Sequence, residues 1–258
     1  MLLPFPGGAS GQVIADSFAY PWPDDMGDPQ TAPDLFAGWT MGQFGPLTFP
    51  RALERAARDS VSWSDAVGDW RNQHTGVVRL RSQGFAAAGG HPVDELAFVT
   101  EAALALLELL PDSALCYFNP AGELLLPTQA VRESLDRFRG GGAVPLEIWC
   151  GTRVFRIEAP AFDLGETLPP QVLVDTVGLG QLNLPDHEVR FSDARFAIQE
   201  VQAFLLNTAA YQLKNGPVIR AGDTINGPGG VSWRMSEQPN SLLDPPRRGL
   251  LSWQPVLR

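Results

Sequence analysis

The chain has 258 residues, of which 44% are hydrophobic and 19% charged, so it carries enough apolar side chain for a packed core and is not a disordered acidic tail. Its net charge is −10, and Lys214 is the only lysine beside its arginines. An acidic surface repels phosphate, which argues against nucleic acid or an anionic membrane as partner and points to a basic protein. The first residues, Met1 to Gly8, lack a basic stretch and are interrupted by Pro and Gly, so no secretory leader is expected. The most apolar run, Leu96 to Leu110, contains Glu101 and Glu108 and is too short to span a bilayer. A cytoplasmic location is expected.

In chain order, residues 1–34 are rich in Pro, Gly and Asp and read as an N-terminal arm. Leu35 to Thr40 reads as a first strand. Pro50 opens a short helix to about Asp59, with Glu54 and Arg58 at pairing distance i,i+4. Trp63 to Trp70 has no clear period, and Gly76 to Arg81 reads as a strand. His91-Pro92 introduces a long helix from about Val93 to Leu110, on which Asp94, Glu101 and Glu108 share one face. Ala114 to Phe118 and Glu123 to Leu126 flank Asn119-Pro120-Ala121-Gly122, whose residues fit a type I turn.

Thr128 can cap a helix from Gln129 to Arg139, which Gly140-Gly141-Gly142 stops. Leu146 to Ile157 reads as a long strand with a bulge at Gly151, and Gln171 to Leu184 as another. His187 to Phe191 is a short return strand. Ser192 or Asp193 can cap a helix from Ala194 to Lys214, stopped by Asn215-Gly216-Pro217. Strands are expected at Val218–Arg220, Val231–Met235 and Leu250–Trp253. Hairpins dominate over βαβ units. The expected fold is therefore α+β, with mainly antiparallel sheets and helices packed on one face. The expected organisation is the arm over 1–34 and one domain over 35–258. A division of that domain into two β-α-β-β-like halves, about 35–145 and 146–258, stays open.

No motif for chemistry is complete. Gly178-Leu179-Gly180 begins a dinucleotide fingerprint, but Asn183 stands where the third glycine belongs and no helix start is read after it. A P-loop is excluded because Lys214 precedes Asn215 rather than Ser or Thr. His74, His91 and His187 lack a second ligand at metal spacing and read as surface or capping residues, His91 opening its helix. Cys116 and Cys150 sit in apolar runs and read as buried thiols. No catalytic, metal or cofactor residue is assigned.

What remains is aromatic. Most of the seven tryptophans belong in a core, but Trp22, Trp63 and Trp70 fall in polar, weakly periodic stretches. Trp22 lies beside Asp24, Asp25 and Asp28, and Trp63 and Trp70 beside Asp65 and Asp69. Partly exposed indoles among carboxylates suit a basic partner, and these eight residues are the candidate contact site. Core packing of Trp63 and Trp70 is the plain alternative.

Thr176-Val177-Gly178-Leu179-Gly180, Glu188-Val189, Asn207 to Leu213 and Gly216 to Ile225, with Gly222-Asp223-Thr224-Ile225 the most specific part, resemble the bacterial domain-of-unknown-function family 4261. The resemblance runs over residues 35 to 235 and is tightest over 171–235. It implies an α+β domain without an assigned activity, and members resembling accessory or immunity-type proteins. Gly222 and Asp223 themselves read as a tight turn. The expected function is a non-catalytic, acidic, protein-binding module. Within that class it is a cytoplasmic immunity or accessory protein for a bacterial toxin or secreted effector. The alternatives are an enzyme or small-ligand binder with a site assembled from dispersed residues, and a structural part of a secretion apparatus.

Overall fold

The computed structural model describes residues 12–45, 47–60, 63–65, 67–83, 90–111, 114–157, 171–192, 196–238 and 249–256. They form two compact units that divide between Trp149 and Cys150. The class is α+β, as expected from the sequence.

In the first unit, β1 (Gln12–Phe18) pairs antiparallel with β2 (Val77–Gln83), and β3 (Tyr117–Asn119) with β4 (Leu124–Leu126). The helices are α1 (Pro33–Thr40), α2 (Ala52–Asp59), α3 (Val67–Gln73), α4 (Pro92–Leu109) and α5 (Thr128–Arg139). Leu35 to Thr40 is thus helix, not strand. Pro33 supplies a preset φ at the first turn, and Asp34 favours the positive helix end there. Glu54 pairs with Arg51 at 2.7 Å, and Arg58 with Asp59 at 2.7 Å, in place of the expected Glu54–Arg58 pair. His91 caps α4, its Nδ1 accepting the Val93 N–H at 3.2 Å. Two members of the α4 acidic stripe pair with α5: Glu108 with Arg132 at 2.9 Å and Glu101 with Arg139 at 3.0 Å. Thr128 is the first residue of α5 rather than its cap, and no side chain caps that end.

The core of this unit gathers Trp22, Trp39, Leu53, Ala56, Val67 and Leu125, with Trp70 packed against it. A buried ion pair, Arg55 to Glu123 at 2.6 Å, ties α2 to the residue before β4. Trp149 is fully buried and its indole N–H donates to Thr100 Oγ1 at 3.0 Å.

The second unit is a six-stranded mixed sheet with one long helix. Its strands are β5 (Gly151–Ile157), β6 (Gln171–Val177), β7 (Asp186–Phe191), β8 (Thr224–Asn226), β9 (Ser232–Gln238) and β10 (Leu250–Pro255), in the order β5-β6-β7-β10-β9-β8. All neighbours are antiparallel except β7 and β10. Leu146 to Ile157 is therefore not one strand: Leu146–Ile148 is a 3-10 turn, preceded by Pro145, and the strand starts at Gly151. Likewise β6 ends at Val177, and Leu179–Leu182 forms a 3-10 turn where continued strand was expected. Val218 to Arg220 has no strand character; β8 lies further on, at Thr224.

Helix α6 (Ile198–Asn215) begins after Ala197 with no side-chain cap, four residues beyond the expected Ala194; Asp193 lies outside the described residues. It ends where the sequence says it should, with Gly216 at φ 80 and Pro217 beyond it. It lays Val201, Phe204 and Leu205 onto the sheet face carrying Val174, Val189, Met235 and Trp253. That face is apolar because β-strand side chains alternate and these positions share one side. Among the described residues, no helix is long and apolar enough to cross a membrane.

Candidate functional site

One side of the second unit is hollowed between α6 and the segment Val218–Gly230, leaving an open groove of about 1210 Å³. The local sequence builds it in three steps. On α6, Glu200, Ala203, Asn207 and Tyr211 recur at three- and four-residue spacing and form an exposed stripe beside the core face. Past Gly216 the chain doubles back through a turn at Arg220 to Asp223. There the Asp223 carboxylate accepts the Arg220 N–H at 2.8 Å, and Asp223 N–H donates to the Arg220 carbonyl at 3.0 Å. Gly222 holds φ 92 in that turn, a value that costs an L side chain strain and glycine little. This is the tight turn expected of Gly222-Asp223, with the Asp side chain bonding back to the residue that opens it. Finally β8 runs along the sheet edge, and Pro228 closes the far end beneath Trp233, whose indole N–H donates to the Pro228 carbonyl at 3.2 Å.

The groove mixes apolar and acidic surface. Tyr211 and Val218 are 52% and 47% exposed, high for side chains of their type. Glu200 and Asp223 contribute carboxylates, and no Lys or Arg is among the lining residues. Among the described lining residues the charged groups are these two carboxylates.

Elsewhere in this unit, polar side chains hold the sheet and helix in place. Arg153 on β5 forks onto Asp175 on β6 at 2.9 and 2.5 Å, with both side chains essentially inaccessible. Such bidentate pairs fix strand register geometrically. Asp186 accepts the Leu179 N–H at 3.2 Å and the Thr176 hydroxyl at 3.1 Å, which anchors the 3-10 turn after β6.

His187 is fully buried, not a surface or capping residue. Its Nδ1 accepts the Trp253 indole N–H at 3.0 Å. Since that indole only donates, the imidazole proton sits on Nε2 and is given to Gln212 Oε1 at 3.0 Å. Burial pushes His187 down to about 4, against a smaller upward pull from the Gln212 hydrogen bond. A neutral imidazole thus ties α6 to β7 and β10, with both ring nitrogens committed. In the first unit, burial pushes the Cys116 thiol up to about 12, so it stays protonated and non-nucleophilic at neutral pH. Among the described residues no group of three His, Cys, Asp or Glu is placed to hold a metal ion.

The eight residues singled out in the sequence all lie in the first unit. The arm and the α3 segment do meet. Trp22 N–H donates to His74 Nε2 at 2.9 Å, and Asp24 pairs with Arg71 at 3.0 Å. The expectation of a partly exposed indole is corrected for Trp22. It is 8% exposed and packed edge-on against Trp39, Phe44 and Phe118. Trp70 is half-buried against the same core, and Trp63 is 36% exposed. Asp25 and Asp28 spend carboxylate oxygens on their own turns, Asp25 accepting from Gly27 N–H and Asp28 from Gln30 and Thr31 N–H. Of the eight, Trp63, Asp24, Asp25, Asp28, Asp65 and Asp69 are exposed.

The groove was not read from the sequence as a site, although its most specific stretch, Gly222 to Ile225, stood out there. No curated protein and no solved structure matches the chain. Residues 175–253, which run from the Arg153 partner through α6 and the groove to the Trp253 indole, match the family model described as domain of unknown function (DUF4261).

Proposed function

We propose that the protein is a partner-recognition module for a basic protein, acting as a cytoplasmic immunity or accessory protein that engages a toxin or secreted effector. The observation that carries this reading is the α6–β8 groove: open, about 1210 Å³, lined by exposed Tyr211 and Val218 and by two carboxylates, with no Lys or Arg among its described lining residues. Aromatic and aliphatic surface rimmed by one sign of charge is the composition of a protein-binding patch. The net charge of −10 adds long-range attraction, which speeds encounter with a basic partner and weakens as salt screens it.

The test places a photo-crosslinking side chain at Asn207 in the groove, and at exposed Val154 on β5, the opposite edge of the same sheet, as a control, in the native host. The reading expects one basic protein in adduct with the Asn207 form and not with the Val154 form. It expects that adduct to disappear with Glu200→Arg, and the purified pair to associate about tenfold more slowly when salt is raised from low to several hundred millimolar. No adduct at Asn207, or an adduct indifferent to Glu200→Arg, contradicts it.

A further inference from the structure

The six-stranded sheet ends at β8, and its hydrogen-bond phase fixes which backbone groups face outward. Met235 N–H donates to the Asp223 carbonyl at 2.9 Å, and Gly227 N–H to the Val231 carbonyl at 3.0 Å. Between them the register is Thr224 opposite Arg234, Ile225 opposite Trp233 and Asn226 opposite Ser232. Bonded and non-bonded pairs alternate along an antiparallel ladder. The Asp223 carbonyl, both backbone groups of Ile225 and the Gly227 N–H therefore point toward β9, and Thr224 and Asn226 turn theirs away. Each of these two presents one N–H and one C=O on the free edge, two residues apart, the repeat at which a further strand bonds. Both line the groove, and no other strand of the described residues pairs there.

We infer that the groove takes an extended, basic peptide segment of the partner, added as a strand along β8. This inference rests on the recognition reading and gives the partner its chemical form. The backbone of Thr224 and Asn226 supplies the main-chain bonds, Tyr211 and Val218 take alternate apolar side chains, and Glu200 and Asp223 select Arg or Lys. A helix laid in the same groove would cover the edge N–H and C=O groups without partners, at the cost of desolvating them. A strand satisfies them. The edge is only three residues long, which limits indiscriminate pairing and leaves specificity to the side chains around it.

The experiment pans a displayed library of random twelve-residue peptides on the full-length chain and measures the best synthetic peptide by fluorescence anisotropy. Enriched sequences are expected to alternate apolar residues with others and to carry Arg or Lys. Thr224→Pro deletes an outward N–H without removing a bond to β9 and should weaken binding about tenfold or more. Asn226→Pro does the same at the second outward residue and serves if the first variant does not fold. Glu200→Arg should weaken binding about fivefold. Failure to enrich over a blocked surface, enrichment of acidic or helix-patterned sequences, or affinity unchanged in a folded proline variant overturns the inference. If that happens while the Asn207 adduct persists, strand addition falls and the recognition reading stands. If the adduct is absent as well, both fall.

Discussion

Lowering the pH puts the buried His187 imidazole between α6 and the sheet under a defined load. The folded state keeps His187 neutral down to about 4, whereas in the unfolded chain it protonates near 6.5. Between those values the unfolded state binds a proton that the folded state refuses, so stability falls as the pH falls. The contribution is whole above 6.5, is lost progressively below it, and changes no further below 4. Linkage with those two values gives a loss of about 1.4 kcal/mol at pH 5.5 and about 2.6 kcal/mol at pH 4.5. Carboxylates titrate in the same range, so the informative quantity is a difference between two chains. Urea unfolding of the native protein and of His187→Gln, at constant ionic strength from pH 7.5 to 4.5, provides it. The variant loses part of the bonding to Trp253 and Gln212 and should start about 1–3 kcal/mol less stable at pH 7.5. The gap should then close as the pH falls and shrink by about 2–3 kcal/mol at pH 4.5. Two parallel stability curves would refute the reasoning, because they would show that His187 titrates alike in both states.

Two further perturbations separate structural residues from surface ones. Asp175→Asn leaves the Arg153 guanidinium buried against a neutral amide and should cost about 3–5 kcal/mol in urea unfolding, while Arg153→Met with Asp175→Leu together should cost markedly less. Trp22→Ala empties a place in the first unit's core and should cost about 3–5 kcal/mol, whereas Trp63→Ala at its exposed site should stay below about 1 kcal/mol. Thermal scans of the two single variants, run side by side, check the contrast.

Sequence reasoning read best where local chemistry decides the outcome. His91-Pro92 before an apolar run, Asn119-Pro120-Ala121-Gly122 between strands, and Asn215-Gly216-Pro217 after α6 each carry their own start or stop signal, and each sits where it was expected. Leu35 to Thr40 misled because a short apolar run with Trp and Thr suits a strand, while the deciding signals, Pro33 and Asp34, lie just upstream. Leu146 to Trp149 misled for the same reason: its apolar side chains are buried in a 3-10 turn, and burial alone does not specify conformation. Trp22 looked solvated because its neighbours are Pro and Asp. Its burial comes from Trp39, Phe44 and Phe118, which are distant in sequence.

The groove was hidden by topology. β10, the last strand in sequence, inserts between β7 and β9 and leaves β8 on the edge, an arrangement no local pattern encodes. His187 was hidden by its neighbours: Asp186 and Glu188 give a polar, surface-like string, yet all three side chains are buried once β7 is flanked by β6 and β10.

Residue-resolved amide exchange on the full-length chain, free and with the selected peptide bound, addresses strand addition at the groove directly. Ile225 is already bonded to β9, so its amide should exchange slowly in both states, while Thr224 and Asn226 should exchange freely alone and slow together when the peptide binds. That one-in-two pattern is the signature of an added strand. Unchanged exchange at Thr224 and Asn226, with new protection over Trp63 to Trp70 instead, would contradict the account and move recognition to the first unit.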